Sequence, residues 1–238
     1  PGADRRRRMS IAARDRLIVA LDVPTLAEAE ALVARLGDAI SHVKVGLELF
    51  VAEGPKAVEA LVARGLKVML DLKLCDIPET VARATARAAA LGAGLLTIHT
   101  CGGREMMRAA RQAAQDRVRL LGVTVLTSLT DQDLVETGAG TTVGQAVAAR
   151  AELARAAGLD GLVCSPLEAA GLRAALGPDV LLVTPGVRPA GAAVGDQKRV
   201  ATPQRARQDG ADYVVVGRPI RDAADPAGVA RAIVKELA

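Results

Sequence analysis

Eight short, β-rich apolar runs alternate with Ala-rich helical stretches along this chain, and that alternation limits the folds open to it more than any other feature. The runs are Leu17–Asp22, His42–Leu47, Lys67–Leu72, Leu95–His99, Leu120–Leu126, Gly161–Cys164, Val180–Thr184 and Tyr213–Gly217. Between them lie segments long enough for a crossover helix, such as Leu26–Leu36, Pro55–Arg64, Glu79–Leu91 and Gly144–Ala157. Strands that alternate with helices pair in parallel. The chain has 238 residues, half of them apolar, close to the ~250 residues of one (β/α)8 barrel. The expected fold is therefore α/β, a (β/α)8 TIM barrel of eight parallel strands with surrounding helices. It should form a single domain over residues 15–238. An open doubly wound sheet is the structural rival. With one Phe, one Tyr and no Trp, the core must be aliphatic.

Local punctuation agrees with this division. Thr25 precedes Leu26 and is followed three residues on by Glu28, a capping-box pattern. Gly37, Gly65, Gly92 and Gly158 each follow a helical run, where a terminating left-handed residue is needed. Ser165-Pro166 suits a helix start. The Gly/Thr-rich stretch Thr130–Thr142 and the stretch 188–200 read as long surface loops of the kind that often serve as lids.

The net charge of +4 is mostly a tail effect, since Arg5 to Arg8 with Asp4 account for +3. The remainder lacks the basic surplus of a nucleic-acid binder. Residues 1–14 are expected to be a disordered basic tail, with Met9 as the natural start. Cys75, Cys101 and Cys164 are widely spaced, and no C-x-x-C pair suggests a zinc site or disulfide framework. No apolar run approaches a membrane span, and no secretory signal is visible. A soluble, cytoplasmic protein with reduced thiols is expected.

Strands covered on both faces usually read as continuous apolar runs, and three neighbouring runs break that rule alike. Side chains alternate across a strand with period two. Val68, Leu70 and Leu72 should face the helices, which turns Met69, Asp71 and Lys73 inward. Val43, Val45 and Leu47 leave Lys44 inward, and Leu17, Val19 and Leu21 leave Asp22 inward. Asp22, Lys44, Asp71 and Lys73 thus converge on one interior, near the C-terminal mouth where barrels of this kind place their chemistry. A purely structural ion-pair network is the bland reading. Four alternating charges are costly scaffolding where Val and Ile would serve, because buried charges must be paired.

The last run leads through Gly217 and Arg218 toward the final helix. Loops after strands seven and eight commonly bind phosphate in barrels. Gly217 allows close backbone approach, a helix N-terminus adds donors, and Arg218 can make a bidentate contact. Arg188 and Gln197 sit on the preceding loop. An organic phosphate is the expected substrate. No Walker-type loop or G-x-G-x-x-G follows the first strand, so nucleoside triphosphates and dinucleotides lack support.

The segment DLKLCDIPET (Asp71–Thr80) resembles the D-x-K-x-x-D signature of bacterial-type orotidine 5′-monophosphate decarboxylases. The resemblance extends over residues 16–237 through LIVALDVPT, KVGLELF, VTVLTSL, TPGVRP, GDQKRV and VVVGRPI. It implies a cofactor-free and metal-free enzyme that forms uridine 5′-monophosphate and carbon dioxide in pyrimidine biosynthesis. It further implies that Lys73 protonates C6, that Asp71 lies beside the departing carboxylate, and that Lys44 extends the charge array to the ribose. Asp22 would contact the ribose, Thr127 the pyrimidine, and Arg188, Gln197, Gly217 and Arg218 the phosphate. Asp76 and Thr80 would be donated to the other subunit's site in a homodimer. Leu74-Cys75 and His99–Gly103 depart from the usual bacterial pattern without touching a matched charge. Two alternatives stand beside this reading. One is a magnesium-dependent sugar-phosphate decarboxylase or aldolase on a related barrel. The other is a non-catalytic phosphate-ligand binding barrel.

Overall fold

The computed structural model describes residues 11–189 and 201–238. Its eight strands are β1 (Leu17–Ala20), β2 (His42–Val45), β3 (Lys67–Leu74), β4 (Leu95–His99), β5 (Arg119–Val123), β6 (Gly161–Val163), β7 (Leu181–Thr184) and β8 (Tyr213–Val216). They form a closed barrel in sequence order. Every pairing is parallel, and β1 meets β8 in the register Leu17↔Val214, Ile18↔Val215 and Val19↔Val216. Closure, rather than an open sheet, is thus the observed solution.

Two apolar layers follow from the alternation. Ile18, Ala20, Met69, Leu95, Leu121, Val183, Tyr213 and Val215 fill the barrel interior. The opposite faces, including Val19, Val43, Val45, Val68, Leu70, Leu96 and Val214, pack under the helices. Burying such aliphatic side chains stabilises each by roughly 1.5–3 kcal/mol.

The helix signals work as their chemistry requires. Thr25 accepts a hydrogen bond from the Glu28 amide at 3.2 Å, capping the helix Leu26–Leu36. Ser165 caps Pro166–Leu176 with a reciprocal Glu168 contact. At Gly92 and Gly158 the chain leaves its helix with φ of 83° and 82°, a region that disfavours any Cβ.

Several boundaries differ from the sequence expectation. The run His42–Leu47 stops pairing at Val45, and Gly46 precedes a helix, Leu47–Glu53, that turns Leu47 outward. The stretch expected as a plain loop at Thr130–Thr142 contains the helix Asp131–Glu136. Thr130 and Asp133 form a capping box that overrides its loop-like composition. Arg218 opens only a one-turn helix, Arg218–Arg221, and the final helix is Pro226–Glu236. Ala13 and Arg14, assigned to the tail, belong to a short helix, Ala13–Arg16. Residues 1–10 lie outside the described residues. Among the described residues no helix is long and apolar enough to cross a membrane.

Candidate active site

The C-terminal ends of the strands surround a cavity of about 340 Å³. Asp22, Lys44, Asp71, Lys73, Thr127, Arg188, Gly217 and Arg218 all line it. Eight of the eleven sequence-nominated residues therefore converge on one space. Asp76 and Thr80 are exposed and are not among its lining residues. Gln197 lies outside the described residues.

The four charges form a chain across three adjacent strands. Lys44 Nζ is 2.8 Å from Asp22 Oδ1 and 3.6 Å from Asp71 Oδ2. Lys73 Nζ donates to Asp71 Oδ1 at 2.9 Å. The Lys44 and Asp71 side chains are only 11% and 13% exposed, while that of Asp22 is 43% exposed at the open end of the chain. Burial opposes the charge on Asp71. The cations of Lys44 and Lys73, with hydrogen bonds from Lys73 and Thr97, outweigh it and hold the carboxyl below its usual range.

Asp71 and Lys73 meet, but simple alternation is not the whole cause. Lys73 has a left-handed backbone, φ 51°, and the β3–β4 register shifts between Leu70 and Leu74. Such a conformation costs a non-glycine residue roughly 1–2 kcal/mol. The break frees the Lys73 amide from the ladder, and it donates instead to Thr97 Oγ1 at 2.9 Å. Thr97, fully buried on β4, in turn donates to Asp71 Oδ1 at 2.9 Å.

Glycine chemistry explains one further position. A Cβ on Gly46 would come within 2.7 Å of Lys44 Nζ and 2.9 Å of Asp22 Oδ1, inside their ion pair.

Sequence reasoning missed several participants. Arg221 lines the cavity and donates to the Asp22 carbonyl at 2.7 Å, fastening the segment after β8 to the end of β1. Its position one helical turn after Arg218 was the available signal. Val123, Val125 and Leu126 from the end of β5, with Pro185 and Gly186 after β7, supply an apolar and backbone-lined wall. An anionic end group has Arg188, Arg218 and Arg221 available in the cavity lining. A planar apolar body can lie along the β5 segment, and the lysine–aspartate chain faces it.

Comparison with known proteins agrees with this geometry. The model of the Orotidine 5′-phosphate decarboxylase / HUMPS family matches residues 15–233. An orotidine 5′-phosphate decarboxylase of Methylobacterium radiotolerans is 54% identical over 225 residues, covering 94% of this chain and 97% of the relative. One from Anaeromyxobacter sp. strain K is 55% identical over 223 residues, covering 94% and 98%. The crystal structure of orotidine 5′-phosphate decarboxylase from Lactobacillus acidophilus superposes with a TM-score of 0.84 at 36% identity, over 94% of this chain and 99% of that one. With a family match across nearly the whole barrel and relatives above half identity, this chain belongs to the Orotidine 5′-phosphate decarboxylase / HUMPS family.

Proposed function

We propose that this cavity decarboxylates orotidine 5′-monophosphate to uridine 5′-monophosphate and carbon dioxide, in pyrimidine biosynthesis, without metal or organic cofactor. The observation that carries the reading is the chain Asp22–Lys44–Asp71–Lys73 in a cavity that three arginines, Arg188, Arg218 and Arg221, also line. The curated relatives bear the name of the nucleotide decarboxylase, which favours it over the magnesium-dependent sugar-phosphate alternative.

On this reading the C6–carboxylate bond breaks heterolytically, carbon dioxide leaves, and the electron pair stays on C6. No neighbouring carbonyl delocalises that pair well, so the site must stabilise it electrostatically. The Lys73 ammonium provides the positive charge and then transfers a proton to C6. Asp71 has two effects. It orients Lys73, and it opposes the substrate carboxylate, a like-charge contact worth roughly 4 kcal/mol at 4 Å and an effective dielectric near 20. That contact vanishes as carbon dioxide departs. Lys44 and Asp22 carry the array to the ribose. Thr127 approaches the pyrimidine, and Arg188, Gln197, Gly217 and Arg218 hold the phosphate.

The site is completed, in this proposal, by Asp76 and Thr80 of a second subunit. Both are exposed on the segment after β3. Apolar Ile77 beside them is 66% exposed, and Val51 on the helix after the adjacent β2 is 81% exposed. Apolar side chains left open around the mouth support burial against a second copy. Three free cysteines fit a reducing, cytoplasmic setting.

The test is loss of the orotate absorbance on adding purified protein, with a chelator present and no cofactor supplied. Lys73→Ala should keep the fold by circular dichroism and lose at least about a thousandfold in kcat. Absence of wild-type turnover, turnover that requires magnesium, or near-normal turnover in Lys73→Ala would each overturn the assignment.

A further inference from the structure

The Thr97 hydroxyl links the two halves of the acid–base pair, and its hydrogen bonds have only one possible polarity. The Lys73 amide can only donate, so Thr97 Oγ1 must accept from it. An ionised Asp71 can only accept, so the single hydroxyl proton of Thr97 goes to Asp71 Oδ1. Asp71 Oδ1 also receives the Lys73 ammonium. The result is a closed ring: Lys73 main chain, Thr97 hydroxyl, Asp71 carboxylate, Lys73 ammonium.

Nothing in the packing calls for a hydroxyl here. Thr97 shares the inward face of β4 with Leu95, which pairs with Met69 of β3 in the apolar cluster that fills the barrel. Valine has the same shape and would suit the layer, whereas a buried hydroxyl is tolerated only when bonded. Thr97 is fully buried and is not among the residues lining the cavity. The other Asp71 oxygen has Lys44 Nζ only at 3.6 Å, too far for a good hydrogen bond. Without Thr97, the Asp71 carboxylate is held only by the ends of two flexible lysine side chains, Lys44 and Lys73, and the left-handed Lys73 backbone loses the acceptor of its amide.

We infer that Thr97 is a positioning residue of the decarboxylase. Its hydroxyl fixes the rotation of Asp71 and the backbone of Lys73, so that the ammonium is aimed at the reacting carbon before substrate arrives. The inference rests on the decarboxylase reading of the cavity. It assigns Thr97 to the chemical step and not to substrate affinity, because Thr97 does not line the cavity and its hydrogen bonds go to Lys73 and Asp71.

The experiment compares Thr97→Val, Thr97→Ala and Thr97→Ser with the wild type. Turnover of orotidine 5′-monophosphate is measured alongside calorimetric binding of uridine 5′-monophosphate. Thr97→Val and Thr97→Ala should lose at least about tenfold in kcat, with KM and product affinity within about threefold of wild type. Thr97→Ser, which keeps the hydroxyl, should stay within about threefold in kcat. If Thr97→Val does not fold, Thr97→Ala carries the same comparison with a smaller side chain. The inference is overturned if the hydroxyl-free variants keep wild-type kcat, if Thr97→Ser falls as far as they do, or if the loss lies in KM and product affinity. An inactive wild type would instead sink the decarboxylase reading itself, so the two failures are distinguishable.

Discussion

His42 lies at the opposite end of β2 from the cavity and illustrates how a single buried side chain couples this fold to pH. It is 6% exposed, and its ring is 5.6 Å from that of Tyr213. Ser41 donates to Asp15 at 2.5 Å, so the 2.9 Å contact between Ser41 Oγ and His42 Nδ1 has the imidazole as donor. Burial, followed by the charge of Lys67, lowers the His42 pKa to about 4, against a smaller opposing pull from Asp15. Between pH 6.5 and 4 the unfolded chain therefore binds a proton that the folded chain refuses. The stability His42 contributes is present above pH 6.5 and is lost as pH falls toward 4, by about 3 kcal/mol at 1.36 kcal/mol per pKa unit. Urea unfolding of the wild type and of His42→Gln at pH 7 and pH 4.5 checks this. The wild type should lose about 2–3 kcal/mol more between the two pH values than the variant. Equal losses would remove His42 from the account. Individual residues of the cavity were legible to different degrees. Lys44, Asp71 and Lys73 stood out because charge interrupts apolar strands. Thr97 did not, because threonine is ordinary in a strand and only its neighbours reveal its task.

At the scale of elements, the starts of the strands were read from the chain to within one residue, since period-two alternation and β-branched content are local properties. Their ends were not. Gly46 ends β2 at the point where the Lys44–Asp22 pair needs room, and the register shift in β3 re-aims Lys73. Neither follows from pattern alone. The segment after β8 holds a comparable surprise. Arg218 and Arg221 flank a single helical turn and both line the cavity, although Arg221 is also tied to the Asp22 carbonyl and to Asp222. Arg221 therefore has a structural tether, and Arg218 is exposed and lines the cavity. Arg218→Ala should raise KM for orotidine 5′-monophosphate at least about tenfold, with little effect on the phosphate-free nucleoside orotidine, because a charge-assisted contact to phosphate is removed. The comparison of kcat/KM for the two substrates is decisive: equal losses would reject a phosphate role.

At the scale of the whole molecule, closure of the barrel places the end of β8 beside the end of the chain's first strand, almost two hundred residues away. The proposed phosphate grip and the proposed charge array meet only through that closure. In the proposed shared site, the exposed Asp76 and Thr80 take part only at a further level of assembly, with Ile77 exposed beside them. Mixing Lys73→Ala with Asp76→Ala subunits tests this. Each mixed dimer would carry one site built from an intact Lys73 and an intact partner Asp76. Equal mixing should restore about one quarter of wild-type activity under random exchange in a two-fold dimer. No recovery, with subunit exchange demonstrated by mass spectrometry, would rule out donation of Asp76 across subunits.

The amino-acid order by itself determined the alternation of strand and helix, the inward turn of Lys44 and Asp71, and the caps and glycines that divide the units. All of these depend on residues close together along the chain. Only the tertiary structure decided that Thr97 bridges Lys73 and Asp71, that Gly46 must stay bare, and that Arg221 joins the wall beside Asp22. These are contacts between separate strands, whose geometry is set by closing eight parallel strands into one ring and by the left-handed step at Lys73. Local sequence carries propensity and pattern, but hydrogen-bond partners across a barrel exist only once its register and curvature are fixed.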